Sequence, residues 1–187
     1  VIAAARDVFA RDGWQKSTIA TIAKQAGVSA ETVYVGFRNK RTLLEEAITA
    51  AVRGDEPETP LMRQAGPRAV MGGASQKEQL AKFSADIVAI LERVGPIMAV
   101  LRTAAETDAD LATHYAALHA GRRRNVEQGG EARSRNGWLR VSRPVAADAI
   151  ARLTSPELCL VATCAQGSSV ADYRSWLRTC LEALLLP

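Results

Sequence analysis

The sequence predicts an all-α protein with an N-terminal three-helix helix-turn-helix head, a linking helix and a larger C-terminal helical domain. Apolar residues recur at steps of three and four along almost the whole chain, which is the spacing of one helix face. Alternation with a period of two is never long enough to indicate a strand. Glycine, proline and capping residues divide the pattern into segments of ordinary helix length.

The composition is typical of a globular protein. The chain has 187 residues, of which 48% are hydrophobic and 24% charged. No apolar run approaches the roughly 18 residues that a membrane span needs, and no signal-peptide pattern opens the chain. We therefore expect a cytoplasmic location and no membrane partner. Because the chain begins at Val1 inside a helical pattern, we expect an upstream segment, which could hold a basic arm, to lie outside this sequence.

Four helices are predicted for residues 1–53, the head with its linking helix. Each boundary is marked by a residue that stops or caps a helix. These boundary residues are Asp12-Gly13 after the first helix, Ser17-Thr18 before the second, Gly27 after it, Ser29 before the third and Asn39 before the fourth.

Residues 54–75 are rich in glycine and proline and are predicted to be a linker, with one helical turn near residues 61–64. The C-terminal domain is predicted to span residues 76–187. Its expected helices cover residues 76–94, 97–105, 109–128, 145–166 and 169–186. We expect Gly95-Pro96 to end one helix, Gly129-Gly130 to end another, and Pro156 to start a fresh segment capped by Ser155.

The three cysteines, Cys159, Cys164 and Cys180, lie in one apolar C-terminal region. Their number is odd and no metal-binding spacing accompanies them. We expect them to be small buried side chains in a reducing compartment, and a redox sensor is the alternative.

The positive charge is concentrated in the head. The net charge is +4, and residues 1–54 hold eight Lys or Arg against five Asp or Glu, whereas the rest of the chain holds sixteen against fifteen. A modest basic excess of this kind is expected of a segment that faces phosphate.

The head also has the steric pattern of a helix-turn-helix. Ala23 is small enough for a second helix to cross close by, and Gly27, four residues later, can take the positive φ that the turn needs. Six residues further on, Val33 supplies a branched apolar side chain to fill the space between the helices. Ile22 and Val28 complete this small core.

The region from Ile2 to Leu44 resembles the TetR family of bacterial regulators. The resemblance is carried by an AARDVFARDGW first helix, then by ST-I-x-x-IA-x-x-AGVS, and then by TVY-x-x-F-x-x-K-x-x-LL. It implies that residues 29–36 form a recognition helix that enters the major groove of DNA. It also implies that the second domain binds a small molecule and forms a dimer.

The resemblance assigns DNA contacts to particular positions. Thr32 and Tyr34 are expected to reach phosphate or base edges, Thr18 a phosphate beside the second helix, and Lys40 a phosphate at the start of the fourth. Phe37 is expected to pack inside the head. The complete set of expected DNA-binding residues is Thr18, Ser29, Ala30, Glu31, Thr32, Tyr34, Val35, Gly36 and Lys40.

Two positions depart from the family pattern. The family often has His where Gly36 stands and Gly where Glu31 stands. Gly36 removes one candidate phosphate contact, and Glu31 places a negative charge near DNA. Because a carboxylate can accept a hydrogen bond from cytosine N4, Glu31 could read sequence. The operator sequence therefore cannot be inferred from the family.

Two sets of candidate residues fall in the C-terminal domain. Apolar and polar side chains of its central helices are candidates for ligand contact, although most are expected to be plain core: Phe83, Ile87, Leu91, Met98, Leu101, Arg102, Tyr115, Leu118 and His119. Apolar faces of the last two helices are candidates for a four-helix dimer interface, the alternative being burial within one chain: Leu158, Val161, Ala162, Ala165, Leu177, Cys180, Leu181 and Leu184.

The expected function is a sequence-specific transcriptional regulator, a homodimeric repressor that a small-molecule ligand releases from a palindromic double-stranded DNA operator. The alternative is a helical adaptor or sensor of the same fold that has lost DNA binding. We expect no enzyme activity, because no nucleophile with a base, phosphate loop or metal cluster is present. We expect no catalytic residues, metal site or cofactor, and the only small-molecule partner is an effector of unidentified structure.

Overall fold

A computed structural model describes the backbone of residues 1–133 and 139–187 and the side chains of residues 1–127 and 139–187. In these residues the chain is helical and contains no strand, so the predicted all-α fold is confirmed. The head helices are α1 (Ile2–Lys16), α2 (Ile19–Ala26), α3 (Ala30–Phe37) and α4 (Lys40–Arg53).

Side-chain caps begin three of the head helices where the sequence predicts them. Thr18, Ser29 and Asn39 each accept a hydrogen bond from the backbone N–H three residues later, at 3.0, 3.2 and 2.9 Å. Such a cap satisfies one of the N–H groups that a helix start leaves unpaired. The first helix does break at Gly13, where φ is 72°, but one further helical turn carries it to Lys16.

Gly27 forms the turn between α2 and α3. Its φ of 69° and ψ of 29° are left-handed, and its N–H bonds back to carbonyls of α2. Val33 is fully buried and Ala23 nearly so, as the helix-turn-helix spacing predicts. Phe37 is half-buried and packs against the same core.

The body of the protein is arranged around one long helix. The helices are α5 (Ala65–Met71), α6 (Gln76–Ala105), α7 (Ala109–Arg133), α8 (Arg143–Leu153), α9 (Pro156–Leu160) and α10 (Val170–Leu185). A π-helical turn, Val161–Ala165, continues α9. Helix α6 contacts α7, α9 and α10 in the body, α5 before it, and α1 and α4 of the head.

The predicted break at Gly95-Pro96 is wrong, because α6 runs unbroken for 30 residues. Proline removes one backbone donor from a helix, but Pro96 is exposed while its neighbours Val94 and Ile97 are buried. Gly95 lies against Leu160 of α9, where an added Cβ would come within 3.3 Å of that side chain. Burial on both sides of the proline therefore holds the helix together.

One other helix boundary also differs from expectation. Helix α7 continues through Gly129-Gly130 to Arg133, so the predicted end there is wrong. The predicted turn near residues 61–64 is present as the 3-10 helix Leu61–Arg63, and α5 follows it. Part of the unpatterned stretch 129–144, residues 134–138, lies outside the described residues.

The buried side-chain amide of Gln64 fixes the segment between the head and the body. The Nε2 atom of Gln64 donates to the backbone carbonyls of Arg53, Glu56 and Thr59 at 3.0 to 3.2 Å. One side chain thus fixes the turn that follows α4, in a segment whose composition indicated only a linker.

The three cysteines differ in exposure. Cys159 is buried and Cys180 half-buried, as expected of small core side chains, but Cys164 is exposed, so the expectation is wrong for that residue. All three are free thiols.

We predict that Gly27→Ala lowers the free energy of unfolding by about 1 kcal/mol, because an L-residue in the left-handed region costs about that much. No atom would clash with the new methyl group, so the cost is backbone strain alone. The matched control is Gly36→Ala, which adds the same group to an open helical position and should be neutral or stabilising. Urea denaturation measures both, and equal effects would contradict the assignment.

Candidate nucleic-acid interface and effector cavity

Helix α3 turns one face into the head and the other to solvent. Val33 is fully buried, whereas Glu31, Thr32 and Gly36 are exposed. Tyr34 is 53% and Val35 87% exposed, and Val35 is the most exposed large apolar side chain among the described residues. The helix thus presents a continuous outward surface of the kind that a major groove accommodates.

The first turns of α2 and α3 carry exposed hydroxyl groups. The Oγ1 atoms of Thr18 and Thr21 lie 2.9 Å apart, and Ser29 Oγ lies 3.2 Å from Thr32 Oγ1. These hydroxyls stand at helix N-termini, where the helix dipole favours an anion. Thr18, Ser29 and Thr32 therefore have the surroundings that a phosphate contact requires.

Glu31 carries a negative charge at the start of α3. Hydrogen bonds from its own backbone N–H and from Ser29 lower the pKa of its carboxyl group. The side chain is exposed beside Tyr34 and Val35 on the outward face, where it can accept a hydrogen bond from a base edge.

Lys40 has an internal role that the sequence does not indicate. Its Nζ donates to the carbonyls of Trp14 and Ser17, at 2.7 and 3.1 Å. The ammonium group also lies 4.0 Å from the centre of the Trp14 ring, within range of a cation–π interaction. Burial lowers the pKa of this lysine. Lys40 thus ties α4 to the end of α1, and a phosphate contact by its remaining N–H stays a prediction.

Arg38 is a basic residue beside α3 that sequence reasoning missed. It is exposed and has a φ of 56° at the end of the helix, where its N–H bonds to the carbonyl of Tyr34. The signal available in the sequence was its position directly after the recognition helix. Its charge extends the basic surface of the head toward α4.

The head is joined to the body by polar contacts of α4. Arg41 Nη1 donates to Asp110 at 2.7 Å and its Nη2 to Asp108 at 3.0 Å. Asp108 also accepts the backbone N–H groups of Asp110 and Leu111 at the start of α7. At the other end of α4, Arg93 Nε of α6 donates to the Ala51 carbonyl at 3.2 Å. Helix α4 is therefore fixed at both ends to helices of the body.

The body contains a cavity of about 320 Å³ between α4, α5, α6, α7 and the start of α9. Its wall is predominantly apolar. The predicted ligand contacts that line it are Phe83, Ile87, Leu91, Met98, Leu118 and His119.

Three predicted ligand contacts do not line the cavity. Leu101 is fully buried in the core, Arg102 is exposed, and Tyr115 instead bonds to Glu157. Sequence reasoning missed the lining residues from α4, the 3-10 helix and α5, because only the tertiary packing brings those helices to the cavity. These residues are Ile48, Val52, Leu61, Met62, Pro67, Val70 and Met71.

Polar side chains at and behind the cavity wall bond within the body, although Arg122 Nε and His119 Nε2 are buried without a hydrogen-bond partner among the described residues. Arg122 Nη1 donates to the carbonyl and hydroxyl oxygens of Thr154 at 2.9 and 3.2 Å, closing the C-terminus of α8. Tyr115 donates to Glu157 Oε1 at 2.7 Å, and His119 Nε2 lies 3.3 Å from the same atom. Burial alone would raise the pKa of Glu157, but these contacts outweigh it and hold the pKa at about 2.

The predicted dimer residues divide into two groups. Leu177 and Leu181 are fully buried in the packing of α10 on α6, so neither can contact a partner directly. Val161 and Ala165 are exposed, and Leu158, Ala162, Cys180 and Leu184 are half-buried. Trp176, which the sequence did not single out, is 44% exposed on α10.

Among the described side chains no group of His, Cys, Asp and Glu has the arrangement of a metal site. None of the described helices combines the length and apolarity required to cross a bilayer.

Comparison with known proteins gives sequence matches for the head and structural matches for the whole fold. Residues 1–47 match the family described as bacterial regulatory proteins, tetR family. The match to the tetR family thus covers the head and not the body of the chain. A stretch of 44 residues is also 46% identical to the fatty acid metabolism regulator protein of Bacillus subtilis (strain 168). That match covers 24% of this chain and 23% of the length of that relative.

Solved structures of transcriptional regulators share the fold over nearly the whole chain. A transcriptional regulator from Mesorhizobium loti has a TM-score of 0.73 at 18% identity, covering 97% of this chain and 91% of its own. The Bacillus subtilis regulator FadR in complex with stearoyl-CoA has a TM-score of 0.71 at 20% identity, covering 96% and 95%. A Rhodococcus regulator has a TM-score of 0.70 at 18% identity, covering 98% and 95%.

We predict that Lys40→Met lowers the free energy of unfolding of the regulator by about 2 kcal/mol, because two hydrogen bonds from a charged donor are lost. Methionine keeps the apolar stem over Trp14, so the loss reports on the ammonium group. Lys24→Met, at an exposed position of α2, is the matched control and should change stability by less than about 0.5 kcal/mol. If the two variants unfold at the same urea concentration, the internal role of Lys40 is refuted.

Proposed function

We propose that the regulator binds a palindromic DNA operator as a homodimer, represses transcription there, and is released by a predominantly apolar effector bound in the 320 Å³ cavity. The observation that carries the proposal is the position of α4. The same helix packs in the head, lines the cavity through Ile48 and Val52, and bonds to the body through Arg41.

The outward face of α3 supports sequence-specific binding. Thr32 and Tyr34 carry polar groups that reach phosphate or base edges from a helix in the major groove. Val35, almost fully exposed, offers an apolar surface of the kind that contacts a thymine methyl group. Glu31 is charged and suited to cytosine N4. Together these side chains favour a site with both thymine and cytosine in each half.

The exposed parts of α9, the π-helical turn and α10 support the homodimer. Val161 and Trp176 are large apolar side chains that the chain itself leaves exposed, and Leu184 beside them is half-buried. A two-fold axis across this face places two α3 helices one DNA turn apart, about 34–36 Å, on a palindrome.

The chemistry of the cavity supports an apolar effector. Its lining is mostly aliphatic, with Phe83 and three methionines among the wall residues, and methionine adapts readily to the shape of an apolar ligand. The related fold of FadR was solved with stearoyl-CoA, a ligand with a long apolar chain.

The proposed release mechanism is a shift between two positions of the heads. An effector in the cavity contacts α4 directly, and α7, which also lines the cavity, holds Arg41 through Asp108. A ligand that fits better when α4 is displaced favours the spacing that does not match DNA. A preference of about 5.5 kcal/mol is enough to invert a 99 to 1 population.

The second candidate function is a sensor of the same fold that has lost DNA binding. Its support is the engagement of Lys40 with carbonyls of the head, together with Gly36 in place of the usual His. The following experiment separates the two.

We predict that the regulator, with its native N-terminus, protects a palindrome in the DNA that flanks its own gene when tested by DNase I footprinting at low salt. Tyr34→Ala should weaken binding at least tenfold, because it removes one base or phosphate contact. Lys40→Ala should flatten the slope of log affinity against log salt by about one unit if its third N–H meets a phosphate.

The control for the salt measurement is Lys77→Ala, an exposed position of α6 in the body, which should leave the slope unchanged. An unchanged slope in Lys40→Ala would assign this lysine to the fold alone. Absence of any protected palindrome would overturn the repressor proposal and favour the sensor.

A further inference from the structure

The carboxylate of Asp86 is an unusual group in the wall of the effector cavity. It projects from α6 among aliphatic neighbours such as Ile87, Ile90 and Val70, all of which line the same cavity. The residue is half-buried. A carboxylate in such surroundings costs free energy unless a donor or a cation compensates it.

The described residues supply little compensation. They donate no hydrogen bond to Asp86 and form no ion pair with it. Arg93, two turns further along α6, lowers the pKa of Asp86 through its charge, but burial has the larger effect and the pKa is raised. The Arg93 side chain itself is directed to the Ala51 carbonyl at the end of α4.

Two other polar residues of the cavity wall, Arg122 and His119, lie near the Glu157 carboxylate. Arg122 bonds to Thr154 and lies in the field of Glu157. His119 lies beside the Glu157 carboxylate. The Nε atom of Arg122 and the Nε2 atom of His119 have no hydrogen-bond partner among the described residues. Both side chains nevertheless have the Glu157 carboxylate nearby, whereas Asp86 forms no ion pair with a described residue.

The backbone of α5 lies directly against the Asp86 carboxylate. Gly66 of α5 lies against it so closely that a Cβ at position 66 would overlap the carboxylate. Helix α5 thus closes over one side of Asp86, and the cavity lies on another. Asp86 itself lines the cavity, so a group bound there can contact its carboxylate.

We propose that Asp86 selects the class of effector: an apolar molecule that carries a cationic or hydrogen-bond-donating group, in preference to an anion. This inference rests on the proposed function, since it assumes that the cavity binds the effector. It adds the charge of the ligand, which the similarity to FadR does not supply for this chain.

The test uses three ten-carbon probes that differ only in the terminal group: decylamine, decan-1-ol and decanoate, which are cationic, neutral and anionic at pH 7. Isothermal titration calorimetry on the full chain measures each affinity. We expect decylamine to bind most tightly and decanoate at least tenfold more weakly, because a hydrogen bond with a charged partner contributes on the order of tenfold or more.

Asp86→Asn keeps the size of the side chain and removes its charge. It should weaken decylamine about tenfold, change decan-1-ol by less than threefold, and remove the disadvantage of decanoate. Glu92→Gln, at an exposed position of α6, is the matched control and should leave the order of the three probes unchanged.

The outcomes separate this inference from the proposed function. If the probes bind but Asp86→Asn does not alter their order, the role of Asp86 is refuted while an apolar effector cavity stands. If decanoate binds most tightly to the wild-type chain, the inference is likewise overturned. If none of the three probes binds either protein, the proposal of an apolar effector in this cavity fails as well.

Discussion

The structure depends on the packing of one helix, α4, against two different partners. Its buried side chains pack against α1 in the head and α6 in the body. They include Leu43, Leu44, Ala47 and Ile48. Since burying one aliphatic side chain contributes about 1.5–3 kcal/mol, this double contact, together with the direct packing of α1 on α6, holds the head and the body together. The ion pairs of Arg41 fix the orientation of α4 relative to α7, although each is partly exposed and contributes little to stability on its own.

The head could be predicted almost completely from the sequence because its determinants are local. A cap bonds to an N–H three residues away, and a positive φ is a property of Gly27 itself. The body could not be predicted as well, because its determinants lie far apart along the chain. Pro96 is tolerated because Gly95 rests on Leu160, a residue 65 positions later, and no local pattern reveals that contact.

The same difference between local and long-range determinants explains how well the candidate sites could be predicted. The exposed face of α3 follows from helical spacing, so its members could be named in advance, whereas Lys40 turned out to bond within the head as well. At the cavity, apolar periodicity identified four of the seven α6 residues in the wall but could not distinguish Leu91, which lines it, from Leu101, which is core. The contributions of α5 and the isolation of Asp86 result from tertiary packing alone.

The proposed function requires that the cavity and the outward face of α3 be energetically coupled through α4. Coupling of binding sites is reciprocal: if an effector lowers the affinity for DNA by some factor, DNA must lower the affinity for the effector by the same factor. The most direct measurement is the affinity of the regulator for decan-1-ol with and without saturating operator DNA, beside its affinity for DNA with and without decan-1-ol. We predict that both affinities fall by the same factor, at least fivefold. An affinity for decan-1-ol that is unchanged by DNA would contradict the coupling and, with it, this account of how the regulator responds.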